Sequence, residues 1–351
     1  MFSPEYRLTN KIVQMLTAIA EGKAVIERAR LLPKQELHLR RQALIRMTHS
    51  STAIEGNILK MREVEAVADR KTIDAPERDI YEVRNYLDAL KYIETIVEKK
   101  QPINKRVILR IHKYVTNKTL RPEASGHYRP GPVYIARNFR DGRREIIYTA
   151  PDAKDVSALM DELIVWIQKH NEEGVDPVIA AGIVHQEIAV IHPFVDGNGR
   201  TARALATLLL YQRGYDFRRL FALEDYYNTD RPAYYAAINI GETYKARRTD
   251  FTPWLEYFVK GFKEEIDRVK HTVLNLAVKK LDTDINSQVF LDKDQIAILD
   301  FMETVGRITV IDVIDVVRCP RRTAQLHLQK LKILKMIKQI GKGRATYYTL
   351  K

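Results

Sequence analysis

The chain has 351 residues, 45% apolar and 29% charged, enough to bury full cores in roughly two to three domains, which excludes wholesale disorder and low-complexity repeats. One cysteine, Cys319, excludes an internal disulfide framework and a cysteine-rich zinc site; with no apolar run near the ~20 residues of a membrane span and no signal-like opening, the expectation is a cytoplasmic protein without a membrane partner. Net charge is +13, and residues 291–351 hold 12 Lys+Arg against 6 Asp+Glu, which fits a polyanion partner for the tail or simply a solvated basic surface.

Helical periodicity runs from the start to about residue 120, with Leu44, Met47 and Ile54 spaced by multiples of three and four. From Gly126 to Pro151 two β-prone runs flank the turn signal Arg140-Asp141-Gly142, which predicts a β-hairpin. Helices resume at Ala153. Asp176-Pro177 supplies an N-cap and a proline at the first helical position for a helix to Ile191, and a further helix is expected from about Arg200 to Arg213, closed by Gly214. The helical pattern is then read as continuing to roughly Lys279, followed by a polar, aperiodic linker from Lys280 to Gln288. In the last sixty or so residues, Ile298, Leu299 and Met302 predict one helix and Val310, Ile314 and Val317 a second. A third helix has Ala324, Leu328 and Leu331 on one face and Arg322, Gln325 and Gln329 on another. With two short strands around Gly341-Lys342-Gly343, this unit resembles a winged helix-turn-helix.

The chemistry concentrates in IHPFVDGNGRTAR, from Ile191 to Arg203. Gly197 and Gly199 flank Asn198 and let a loop approach a ligand closely, at the N-terminus of a helix whose first amides and dipole favour an anion. Arg200 and Arg203 leave one face of the first turn. Asp196 is an oxygen ligand of the kind Mg²⁺ takes beside phosphates, and His192 is able to accept a proton near neutral pH. A base, a metal carboxylate, an anion nest and two arginines are the parts needed for phosphoryl or nucleotidyl transfer. Phe194 is read as a core anchor for the loop and His185 as structural. The stretch formally fits G-x-G-x-x-A, but a helix precedes it rather than a buried strand, so a dinucleotide fold is not supported.

HPFVDGNGRTAR resembles the Fic signature HxFx[DE]GNGRxxR at every specified position, and the likeness extends over roughly residues 35 to 275. The resemblance implies a mainly α fold, a helical Fic core with a β-hairpin flap, and transfer of AMP from ATP to a Tyr, Thr or Ser hydroxyl of a target protein. It implies that His192 deprotonates that hydroxyl, that Asp196 holds Mg²⁺, that Gly197, Asn198 and Gly199 form the anion hole, and that Arg200 and Arg203 bind the outer phosphates. Val133, Tyr134 and Ile135 would be the strand on which the target docks. Tyr234-Tyr235 resembles the family's adenine-side helix, with Tyr235 in a nucleotide-binding role; Glu242 stands where some relatives have asparagine. Ser51-Thr-Ala-Ile-Glu55-Gly56 is similar to the inhibitory motif [ST]xxxE[GN]. A glutamate at a helix C-terminus opposes the dipole by about 0.3 to 1 kcal/mol, so Glu55 calls for a cation, and the resemblance nominates Arg203.

The expected organisation is an N-terminal helical region with the inhibitory motif (1–105), a Fic catalytic core (106–279), a linker (280–288) and a winged helix-turn-helix (289–351). Two alternatives stay open. The same site could remove AMP, with Glu55 orienting a water; or the chain could chiefly be a DNA-binding regulator, with Arg321, Arg322 and Gln325 in the major groove and Lys342 and Arg344 on phosphates. The last unit could equally dock protein or dimerise, and a homodimer is a further expectation of the family likeness.

Overall fold

In the computed structural model the described residues are 2–138, 143–170, 174–239, 241–278, 291–341, 343 and 346–351. The turn read at Arg140-Asp141-Gly142, the linker 280–288, and Lys342 and Arg344 lie outside them. The chain divides into two compact units, one of residues 1–29 and 39–275, the other of residues 30–38 and 276–351.

The first unit is helical. Its front end holds α1 (Asn10–Arg28), α2 (Pro33–Ile54, which begins in the other unit), α3 (Met61–Ala68), α4 (Glu77–Glu98) and α5 (Lys105–Val115). The hairpin follows, β1 (Tyr134–Asn138) paired antiparallel with β2 (Arg144–Thr149), with a register irregularity between Ile135 and Ala136. Then come α6 (Val156–His170), α7 (Pro177–Ile191), α8 (Asn198–Gln212), α9 (Glu224–Thr229), α10 (Arg231–Ile238) and α11 (Thr252–Val278).

The middle of this unit is α7, capped as the sequence indicates: Asp176 accepts from the amides of Val178 and Ile179, with Pro177 in the first turn. Thirteen of its fifteen residues are buried, so its few polar side chains need internal partners. Glu187 pairs with Arg247 at 2.7 Å, and the His185 ring meets the Tyr234 hydroxyl at 3.0 Å. Gly182 lets α11 close in, since a Cβ there would lie 2.8 Å from Leu255; its carbonyl accepts from the Trp254 indole at 2.7 Å. His185 is thus structural, as its sequence context suggests.

The helix read from about Arg200 to Arg213 is α8, but the helical pattern read from there to Lys279 is interrupted. Asp230 caps the amide of Ala233 and starts α10 afresh, and from Asn239 to Phe251 the described residues are not helical. The amide of Thr149 donates to the carbonyl of Glu242, and Tyr244 donates back to Thr149, so this segment flanks β2. The hairpin needs that neighbour because a lone two-stranded ribbon is marginal in water. No helix of the described residues is long and apolar enough to cross a membrane.

The second unit holds α12 (Lys293–Val305), α13 (Val310–Val317), α14 (Arg321–Ile333) and an antiparallel pair, β3 (Ile337–Ile340) and β4 (Tyr347–Leu350). Asp292 with Gln295 and Thr309 with Asp312 form capping boxes at the starts of α12 and α13. Its core joins Ile298, Leu299, Met302, Val313, Ala324, Leu328 and Leu331, with Val310, Ile314, Val317 and Cys319 packed at the margin. Arg321, Arg322, Gln325 and Gln329 are exposed, the face separation that the periodicity of α14 predicts.

Candidate active site

The loop between α7 and α8 turns on His192, the C-terminal cap of α7, whose φ of 50° is left-handed, a conformation uncommon for a residue with a side chain. Its Nδ1 lies 3.2 Å from the carbonyl of Ala189. A carbonyl only accepts, so Nδ1 carries the proton and Nε2 is left with its lone pair. Burial lowers the pKa of His192, partly offset by that hydrogen bond and by the charge of Glu55, so the neutral ring is favoured.

Around the histidine, four side chains fix the loop. Asn198 closes it on itself, its amide donating to the carbonyl of Phe194 and accepting from the Phe194 amide, both at 2.9 Å. Its contribution to an anion hole would therefore come through the backbone. Phe194 is fully buried and stacks on His112, ring centres 3.7 Å apart and planes within 4°, the anchor role its position suggests. His112 on α5 accepts from the amide of Gly126 at Nδ1, so Nε2 carries the hydrogen that it donates to the carbonyl of Asp196 at 3.0 Å. Burial pushes the pKa of His112 down to about 4, which keeps this tautomer neutral. Arg129, also buried, donates to the carbonyl of His192 at 2.8 Å.

Gly197, the cap of α8, has φ 79° and brings no side chain to the helix terminus; a Cβ there would lie 2.8 Å from Thr116. The first amides of α8 have no intrahelical acceptor and form the open end of a dipole. The Asp196 carboxylate takes the Gly197 amide at 2.6 Å and meets Arg200 at 3.4 Å and Arg78 at 3.1 Å. Glu82 on α4, 5% exposed, faces Arg200 at 3.4 Å and holds Arg78 at 3.2 Å and the Asn57 amide at 3.0 Å. Arg200 is 1% exposed, and its Nε and one terminal nitrogen have no hydrogen-bond partner among the described residues.

Arg203 turns the other way, toward α2. It donates to the Ser51 hydroxyl (2.9 Å), the Ser51 carbonyl (2.8 Å) and Glu55 (2.7 Å), and lies 3.5 Å from the Tyr234 hydroxyl. Burial opposes its charge, but Glu55, with Tyr234 and Tyr86, offsets this, so the pKa of Arg203 is raised. Glu55 reaches it because α2 ends at Gly56 (φ 99°). The amide of Asn57 bonds back to Thr52 and that of Gly56 to Ala53, a Schellman closure that aims the Glu55 side chain off the helix end. The carboxylate lands on the terminus of α8: a Cβ on Gly199 would sit 2.2 Å from its Oε1. Tyr235, half-exposed, donates to the carbonyl of Ile54 at 3.0 Å, next to the same turn.

The outer edge of β1 has no strand partner among the described residues, and Tyr134 on it is 45% exposed. Structure thus brings together His192, Asp196, Gly197–Arg200, Arg203, Ser51, Glu55 and Tyr235. Sequence reasoning misses His112, Arg129, Glu82 and Arg78, which lie far off in the chain in no motif; only proximity identifies them. Among the described residues, one metal-like grouping lies elsewhere, Asp292, Asp294 and His327 in the second unit. There the Gln295 amide faces His327 Nδ1 while its oxygen accepts from Asp292, so Nε2 carries the hydrogen and is poorly disposed to ligate.

Residues 102–210 match the Fic/DOC family. The chain is 29% identical over 202 residues to the protein adenylyltransferase Fic of Drosophila virilis, 57% of this chain and 37% of that protein. It is 27% identical over 243 residues to the one of Nematostella vectensis, 67% of this chain and 52% of that protein. The chain thus spans between about a third and a half of the curated relatives it matches. Among solved structures, a Fic family protein from Desulfovibrio desulfuricans G20 superposes with a TM-score of 0.64 at 24% identity, over 100% of this chain and 98% of that one. A Fic domain containing signaling protein from Bacteroides thetaiotaomicron gives 0.61 at 19%, over 80% and 100%. The helical unit with its hairpin thus has the fold of these solved Fic proteins, and residues 102–210, which hold the loop after α7, are similar in sequence to the Fic/DOC family.

Proposed function

We propose that the chain transfers AMP from ATP to a hydroxyl side chain of a target protein and is held idle by Glu55. The observation that carries this reading is the loop itself: a neutral His192 with Nε2 free to take a proton, beside an uncapped helix terminus and two buried arginines. The target strand adds to the open edge of β1 near Val133, Tyr134 and Ile135, in the manner of strand augmentation. His192 takes the proton of the incoming hydroxyl, whose oxygen attacks the α-phosphorus, and pyrophosphate leaves. The amides at Gly197–Gly199 and the side chains of Arg200 and Arg203 hold the phosphate oxygens. Tyr235 borders the adenine side.

Asp196 suits Mg²⁺, which takes one or two carboxylates and lets phosphates fill the rest of its shell; its carboxylate is 35% exposed, and the guanidinium of Arg78 already sits on it as a cation would. A bound Mg²⁺ would supply Lewis-acid charge against the phosphates. Glu55 occupies Arg203 and the end of α8, where an outer phosphate would go, so it competes with productive ATP.

The test is incubation of the wild type, Glu55→Gly and Glu55→Gly/His192→Ala with α-labelled ATP and Mg²⁺, with and without a cell lysate. Label that appears in Glu55→Gly and vanishes in the double variant supports the reading; equal labelling of wild type and Glu55→Gly sinks the inhibitory role. Removal of AMP is the reverse use of the site, and release of AMP from a premodified target, lost on Glu55 substitution, would favour it.

A second reading concerns the second unit. Residues 316–351 hold ten Lys+Arg and no Asp or Glu, and Arg321, Arg322 and Gln325 on α14 are exposed, which favours DNA as its partner. A salt-dependent mobility shift with duplex DNA tests it, and its absence at low salt leaves a protein-docking role.

A further inference from the structure

Arg129 lies between the helical front end and the hairpin and is 2% exposed. Its guanidinium is spent on backbone carbonyls. Nε donates to His192 at 2.8 Å, one terminal nitrogen to Gly131 at 2.8 Å and the other to Pro151 at 2.5 Å, while its own amide donates to Pro193 at 2.9 Å. Burial works against the charge and lowers its pKa. A guanidinium kept dry in this way has to be justified by what it holds.

The three carbonyls are informative. One belongs to His192, whose left-handed backbone resists the turn it makes. Gly131 precedes β1 and Pro151 follows β2, so the other two are on the two legs of the hairpin. A planar fork with donors at fixed angles can serve all three at once, which the single ammonium of a lysine cannot.

We propose that Arg129 is a positioning residue that holds the His192 backbone in its turn and fastens both legs of the hairpin to it, so that the base and the target-presenting strand are set by one group. The proposal rests on the reading of His192 as base and of the hairpin as docking strand.

The test uses the full chain carrying Glu55→Gly, with Arg129→Gln or Arg129→Lys added. Arg46→Met is the control: Arg46 pairs with Asp225 and Glu265 and so removes a part-buried guanidinium that touches neither hairpin nor loop. Two quantities are measured without nucleotide: amide exchange across residues 134–138 and 144–149 relative to α11, and the imidazole ¹⁵N shifts of His192, which report its tautomer. Arg129→Gln is expected to speed hairpin exchange about tenfold or more and to mix the His192 tautomers. Arg129→Lys should fall between parent and Arg129→Gln, and Arg46→Met should lower Tm while leaving both quantities unchanged. Hairpin exchange in either Arg129 variant equal to the parent, or changed no more than in Arg46→Met, overturns the proposal, and Arg129→Lys decides it if Arg129→Gln does not fold. Failure of AMP transfer in every variant would count against the transfer reading instead, because neither quantity depends on it.

Discussion

Two arginine-bearing stretches, the loop with Arg200 and Arg203 and the face of α14 with Arg321 and Arg322, differ in how their charges meet water. The first pair is 1% and 2% exposed, and its surroundings of Glu82, Ser51 and Glu55 are fixed by helix ends and hydrogen bonds. The second pair is exposed on a helix flank. Buried charges in fixed geometry act on particular atoms of a ligand, and losing one is a large, local event. Exposed charges act as a diffuse field, and each contributes little and less still in salt. The expected effects therefore separate by size.

The largest should come from His192→Ala, with AMP transfer in the Glu55→Gly background falling by roughly a hundredfold to ten-thousandfold. The same background carries a pH signature. With the pKa of His192 lowered by burial, the neutral base persists below histidine's ordinary value, so the rate should fall off only as pH drops under about 6.5. An acid limb at or above that value would break the comparison by making His192 behave as a solvated ring. Next is Glu55→Gly, which removes the carboxylate from Arg203 and should raise AMP transfer about tenfold or more, read by label incorporation.

Smaller, and sharper as a test of the latch, is Asn57→Ala. The Asn57 amide ties the turn after Glu55 to Glu82 and to the carbonyl of Asp79, each at 3.0 Å. Its loss should raise transfer about threefold to tenfold with Glu55 present and change nothing once Glu55 is glycine. An equal gain in both backgrounds would mean that Asn57 acts on Arg200 through Glu82 rather than on the latch. The smallest effect belongs to α14: Arg322→Gln should reduce the log–log salt slope of DNA binding by about one. A loss confined to one DNA sequence would move Arg322 from a phosphate contact to a base contact.

The same contrast explains what is legible in the sequence. Asp176-Pro177 announces the start of α7, and the spacing of Ala324, Leu328 and Leu331 separates the faces of α14, because caps and periodicity are local. The loop from His192 to Arg203 is legible because its parts are contiguous. Its supports are not. His112, Arg129 and Glu82 reach it from other elements, and nothing in their own neighbourhoods marks a histidine that must stay neutral or an arginine that must stay dry. The breaks between Gly214 and α11 are missed for the opposite reason: Asp230 before Arg231-Pro232 is a local cap, but the apolar spacing after Gly214 reads as continuing helical pattern.

Gly199 acts as a gauge set to a single methyl group. The space where its Cβ would lie is filled to 2.2 Å by the carboxylate of Glu55, and an outer phosphate would have to approach the same helix end. On the proposed reading, a side chain at 199 would displace the Glu55 carboxylate and also crowd the place of the nucleotide. If Glu55 does inhibit AMP transfer, position 199 is then a poor route to an active chain, and activating substitutions should fall at residues 51–57 instead.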